Sequence, residues 1–183
     1  MTSHSEILDA CALINFYASS FMDEIISSRQ AQCHVVEQAL QESLFIRRSS
    51  DTGMGFDKEP VLLDTFFQSG ALQRAKLECE AEQNLFANLA LQIDDGEAAT
   101  IAIAILRNMQ VVTDDKKAIR ILKQEAPGIV CLSTLAVIKA WSETMSINPE
   151  QIKMALSNIL KHANYRPGKG HPMFEWWQHI MNS

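Results

Sequence analysis

Short apolar runs that do not alternate with polar residues constrain this chain most. Ile7-Leu8, Cys33-His34-Val35-Val36, Met109 to Thr113 and Gly128 to Leu132 are each too short for a helix, and stretches with helical apolar spacing lie between them. A strand that is apolar on both sides must be covered on both faces. The order therefore predicts an α/β fold, a Rossmann-like three-layer sandwich with a mostly parallel central sheet. Apolar spacing predicts helices over 10–27, about 37–46, 61–67, 80–92, 96–108 and 116–126, with a weak edge strand over 71–77. Residues 47–60 read as a loop, because Ser49, Ser50, Gly53, Gly55 and Pro60 crowd there. Asn148-Pro149-Glu150-Gln151 is a strong helix start, and that helix should run to about Ala163.

Composition narrows the class. A chain of 183 residues suits a single domain, 1–183, with extra helical material after about 145. Hydrophobic residues make up 47% and there are only 7 Gly and 5 Pro, which argues against extensive disorder. The net charge of −6 argues against a surface that is nucleic-acid footprint throughout, and it leaves room for a local basic patch. Cys11, Cys33, Cys79 and Cys131 form no CxxC pair and have no His partner at zinc-finger spacing, so a reducing compartment is expected. The N-terminus lacks a basic segment followed by an apolar one, and no apolar run reaches bilayer length. The expectation is a soluble cytoplasmic protein without a membrane partner.

Carboxylates stand where this architecture collects function. Asp9 closes the first apolar run, Asp114-Asp115 closes Val111-Val112-Thr113, and Asp94-Asp95-Gly96-Glu97 opens a helix. In open parallel sheets, functional groups gather beyond the carboxyl ends of strands, where strand order reverses. Each acid also has a purely structural reading. Asp9 and Asp114 can cap the helices that follow them. Asp94 and Glu97 fit a capping box. Glu42 can be one residue of a solvated face, or it shares a helical stripe with Ala39 and Ile46, against which Leu40 and Leu44 define a competing stripe. As a set they are harder to explain away, because converging carboxylates repel unless a cation joins them. Oxygen donors without thiolate or imidazole select Mg²⁺ or Mn²⁺.

Three motifs then resemble the PIN-domain nucleases, in the branch that includes the VapC-type toxins. They are Ile7-Leu8-Asp9-Ala10-Cys11-Ala12-Leu13-Ile14, Gly96-Glu97-Ala98-Ala99-Thr100-Ile101-Ala102 and Val112-Thr113-Asp114-Asp115-Lys116-Lys117-Ala118, with a weaker match over 36–42. The resemblance spans roughly residues 6–135. It implies a catalytic tetrad of Asp9, Glu42, Glu97 and Asp115, and an Mg²⁺ or Mn²⁺ ion held by Asp9, Glu97, Asp114 and Asp115. The register leaves Asp114 and Asp115 interchangeable by one position. The implied activity is endoribonuclease cleavage of phosphodiesters, with RNA as substrate, an antitoxin-like protein as a possible partner, and a homodimer. Many members carry Asp at the position of Glu97. This chain is also longer than a typical toxin, with added material around 47–78 and from about 145, so nuclease is favoured over toxin.

Thr113, Lys116, Lys117 and Arg120 are the candidate substrate contacts. Lys123 extends that basic stripe, and Arg47 and Arg48 are outlying candidates. A solvated helix face and a β-favouring Thr are the competing explanations. Phe174, Trp176 and Trp177 are expected to dock on the body of the protein. A non-catalytic binding protein on the same fold is the rival that retention of every acid argues against. A phosphoacceptor receiver fails on order, since its acid pair comes early and here the pair comes late.

Overall fold

A computed structural model of the protein describes residues 4–42, 44–49 and 55–183. The chain divides into two compact units. One is made of Met1–Leu13, Arg29–Ser43 and Leu62–Ser133, the other of Ile14–Ser28, Leu44–Val61 and Thr134–Ser183.

The first unit holds a five-stranded sheet. Its strands are β1 (His4–Leu8), β2 (Ala31–Val36), β5 (Leu72–Ala75), β6 (Gln110–Val112) and β7 (Cys131–Leu132), in the spatial order β5-β2-β1-β6-β7. Every pairing in it is parallel. The predicted α/β class with a parallel sheet is therefore present, and β5 takes the edge expected for residues 71–77. From β1 the chain first adds strands on one side, then returns to add β6 and β7 on the other. The reversal of strand order thus falls between β1 and β6. The strands are apolar on both faces because both are covered: Ile7, Leu8, Val35, Val36, Val111 and Val112 are all at most 1% exposed. Burying a side chain of this size contributes roughly 1.5–3 kcal/mol.

Helix α6 (Asp95–Arg107) packs on β1, β2 and β6, with α3 (Glu37–Gln41), α5 (Glu80–Ala90) and α7 (Lys116–Glu125) beside it. Its alanines allow the close approach, since Ala98, Ala99, Ala102 and Ala104 are fully buried. The helix stops at Asn108, whose left-handed backbone (φ 52°) carries its N–H to the carbonyls of Ala104 and Ile105. The short helix α4 (Asp64–Gln68), which starts three residues later than the predicted 61–67 helix and ends one residue later, leads to Gly70 at φ 78° and so into β5.

Several expectations need correction. The helix predicted over 10–27 is two helices, α1 (Ala10–Ser19) and α2 (Met22–Ser27). The Ser19 hydroxyl donates to the Phe16 carbonyl and accepts from the Phe21 N–H, and Ser20 follows at φ 69°. A serine that bonds its own backbone competes with helix continuation. The helix predicted over 37–46 ends at Gln41, and Phe45–Ser49 is instead strand β3. The stripe linking Glu42 to Ile46 therefore does not exist. The loop predicted over 47–60 contains an antiparallel hairpin of β3 with β4 (Phe56–Pro60), in which Arg48 pairs with Glu59 at 2.7 Å. Ser50 and Gly53 lie outside the described residues.

The hairpin belongs to the second unit, with α1 beyond Leu13, α2, α8 (Thr134–Thr144), α9 (Pro149–Asn158) and α10 (Phe174–Asn182). Helix α8 has no counterpart among the predicted elements, although Leu135, Ile138 and Trp141 are fully buried in it. The Asn148 cap is present, its carboxamide oxygen accepting from the Gln151 N–H at 2.9 Å. Helix α9 continues to Ala163 as a π-helical turn, Ile159–Ala163. Trp177 is buried and stacks on Phe174, with the Arg166 guanidinium over its ring. No helix among the described residues is long and apolar enough to cross a membrane.

Candidate functional site

Residue pairing places the ends of β1 and β6 side by side, with Leu8 opposite Val112. The ladder runs one step further, as the Asp9 N–H donates to the Val112 carbonyl at 3.0 Å and the Thr113 N–H to that of Leu132 at 3.0 Å. Asp9 and Asp114-Asp115 therefore leave the sheet from adjacent strands, at the point where strand order reverses.

Asp9 is 4% exposed and held on every side. Its carboxylate accepts from the Ala10 N–H (2.9 Å), the Thr113 hydroxyl (2.8 Å) and the Cys11 thiol (3.2 Å). Burial raises its pKa and the charge of Asp94 adds to the rise, against these three hydrogen bonds, which favour the carboxylate. Thr113 is itself buried, and its Oγ1 also accepts from the Asp115 N–H at 3.1 Å. It works as a relay that fixes Asp9 relative to the next turn. Cys11 accepts from the Asp114 N–H at 3.3 Å. Burial and the nearby Asp9 charge push its thiol well up, so it is a protonated hydrogen-bond donor rather than a nucleophile.

Glu97 stands in the first turn of α6, where the helix dipole favours a carboxylate. Its pKa is nevertheless pushed up to about 7, first by burial and then by Asp94, Asp115 and Asp9. Glu42 follows α3 with an extended backbone (φ −69°, ψ 151°). Although Glu42 as a whole is exposed, its Oε1 lies against Gly96 at the start of α6. Partial desolvation there, followed by the charges of Asp94 and Asp9, pushes it up to about 7 as well. Asp9 and Asp94 thus raise both Glu42 and Glu97, and Asp115 raises Glu97 alone.

Capping and clustering are not alternatives for these acids. Asp115 caps α7, its Oδ1 accepting from the Lys117 and Ala118 N–H groups at 2.7 and 2.8 Å, and it also raises Glu97. The residue that caps α7 is therefore Asp115, while Asp114 lies near Cys11 and Cys131 and raises both thiols. Asp94 caps α6 through the Glu97 N–H at 2.8 Å. By sequence Asp94 reads only as a cap, yet it is the one neighbour whose charge reaches Asp9, Glu42 and Glu97 alike. Cys11 is a second residue that sequence reasoning misses. Its signal is the spacing of two residues after Asp9 at a helix start, which lets a side chain fold back on the carboxylate.

Lys116, Lys117, Arg120 and Lys123 are exposed on the solvent side of α7, directly after Asp115. Arg47 and Arg48 belong to the second unit. Hard carboxylate oxygens that raise one another's pKa are the donor chemistry a divalent cation relieves, so the residue types fit Mg²⁺ or Mn²⁺. Among the described residues, no group of three or more His, Cys, Asp or Glu lies close enough together to hold an ion in the present arrangement. No protein-family model matches the chain, and no curated protein and no solved structure is significantly similar to it.

Proposed function

We propose that the protein is a divalent-metal-dependent phosphodiester hydrolase acting on RNA, with a PIN-like site. The observation that carries this is the emergence of Asp9 and Asp114-Asp115 from adjacent parallel strands at the reversal of strand order. Glu42 and Glu97 lie within electrostatic reach of Asp9 there. Asp9, Glu97 and Asp115 would hold the ion, with Asp114 beside them, and the side chains must draw in from their present spacing to do so. When bound, the cation supplies charge neutralisation on the phosphodiester and an activated water. Asp9 is oriented by Thr113 and Cys11. Glu42, at about 7 in the metal-free protein, is matched to exchange a proton near neutrality. Lys116, Lys117 and Arg120 are placed to meet backbone phosphates of the strand being cut. The antitoxin-like partner and the homodimer rest on the motif resemblance alone.

An RNA-cleavage assay with Mn²⁺, Mg²⁺ or EDTA tests the proposal. Cleavage should require the cation, and Asp9→Asn should lower it by up to about 10³-fold, the order of effect expected for losing one preorganised electrostatic group. Undiminished cleavage in EDTA, or full activity in Asp9→Asn, would place the chemistry elsewhere.

A further inference from the structure

Gly96 is the second residue of α6, is buried, and has no positive φ to demand a glycine. In a helix, glycine is intrinsically less stable than alanine. Gly55 and Gly70 differ, since both have positive φ and nothing stands within 4 Å of an added Cβ. At Gly96 the reason is space. A Cβ there would collide with Glu42 Oε1 and lie 3.3 Å from the Ala39 Cα and 3.4 Å from Glu42 Cδ. Ala39 is fully buried in α3, which packs on α6, so that backbone has little room to retreat. The Glu42 N–H bonds back to the Ala39 carbonyl at 3.3 Å while its own ψ of 151° takes the chain out of the helix.

We propose that Gly96 is a positioning residue: its missing side chain forms the seat in which the Glu42 carboxylate rests against the start of α6, among the acids of the site. The functional consequence rests on the metal-dependent hydrolase proposed above, whereas the seat itself does not. Any side chain at 96 displaces Glu42 outward and opens the acidic set. This also explains how Glu42, on no common stripe with the core, comes to lie against the start of α6.

The test is a double-mutant cycle of Gly96→Ala and Glu42→Ala, each confirmed folded by circular dichroism. Thermal unfolding in EDTA reads the seat, Mn²⁺ titration followed by the paramagnetic signal of the free ion reads the ligand set, and kcat against KM reads turnover. With Glu42 present, Gly96→Ala should fail to raise Tm despite its better helix propensity, and should weaken Mn²⁺ binding about tenfold, the scale seen when a group beyond the ligands is displaced. With Glu42→Ala, the same substitution should be clearly less harmful to Tm and should leave Mn²⁺ affinity unchanged. A Gly96→Ala protein that folds only alongside Glu42→Ala would support the seat equally. Equal Tm effects in both backgrounds, or unfolding in both, would overturn it and assign the glycine to the Ala39 backbone. A wild type that binds no Mn²⁺ would defeat the hydrolase proposal, while the Tm cycle would still decide the role of Gly96.

Discussion

The two ends of α6 treat carboxylates in opposite ways. At its C-terminal end, Arg107 grips Glu82 of α5 with two hydrogen bonds, Nε at 2.7 Å and an Nη at 3.0 Å, and also donates to the Lys76 carbonyl. Glu82 is 4% exposed, yet the Arg107 hydrogen bond holds its carboxyl down at about 2, with the Glu78 N–H assisting. At the N-terminal end, Glu97 and Glu42 are pushed up to about 7, though the helix dipole should favour their charge. Burial acts against the charge at both ends. The difference lies in the neighbours, a guanidinium in one place and further carboxylates in the other. One end is thus complete as built, and the other is electrostatically unfinished in a way a cation would complete.

The largest expected effect breaks the satisfied end. Arg107→Ala leaves Glu82 buried without its partner and should lower unfolding stability by on the order of 3 kcal/mol in urea titrations. A loss below about 0.5 kcal/mol would reduce this clamp to a surface pair.

Metal sharpens the contrast at the other end. Mn²⁺ at a hundred times its dissociation constant should stabilise the wild type by about 2.7 kcal/mol, through binding to the folded state alone. Arg107→Ala should retain that increment, because its lesion is at the far end of the helix, whereas Asp9→Asn should lose most of it. A wild-type melting curve insensitive to Mn²⁺ would leave the N-terminal acids as mutually strained caps.

Acid titration should move the two ends in opposite directions. Between the usual 4.5 and about 7, folded Glu42 and Glu97 retain protons that the unfolded chain releases. Their contribution to stability is therefore full below 4.5 and is lost as pH rises through 7. Glu82 behaves in reverse, contributing fully above 4.5 and losing its contribution as pH falls through about 2. In EDTA, wild-type stability between pH 5 and 7 should fall more steeply than that of Glu42→Gln with Glu97→Gln combined. Identical slopes would show that the N-terminal acids do not titrate together with folding.

The smallest effect tests the basic face of α7 beside the acidic end. Each of Lys116→Ala, Lys117→Ala and Arg120→Ala should weaken binding of a single-stranded RNA modestly. Each should also reduce the slope of log affinity against log salt by about 0.7 for every phosphate that is no longer neutralised. An unchanged slope in all three would make the stripe an ordinary solvated face.

Four strands of the sheet were legible as short apolar runs, β5 as a weakly alternating edge, and the helices α5, α6 and α7 as period-3.6 spacing. The stripe that singles out Glu42 in the sequence is absent from the fold, since Ile46 is in β3, and Glu42 reaches the other acids by leaving α3 instead. The break at Ser20 and the hairpin of β3 with β4 were hidden. A side-chain bond to the backbone outweighed apolar periodicity in the first case. In the second, a turn-rich composition masked strands whose partners make them strands.

The sequence by itself determined what is settled within a few residues. Asp94 and Asn148 cap the helices that follow them, and β1 and β6 each lead into acid, because capping and strand burial depend on near neighbours and on patterning. Tertiary structure alone decided that β6 lies beside β1 a hundred residues away, that Arg107 meets Glu82, and that Glu42 settles over Gly96. Those are choices among distant partners, made by the packing of α6 on the sheet. They set the sign of every pKa shift at the two ends of that helix, since a buried carboxylate takes its charge state from whichever group the fold puts next to it.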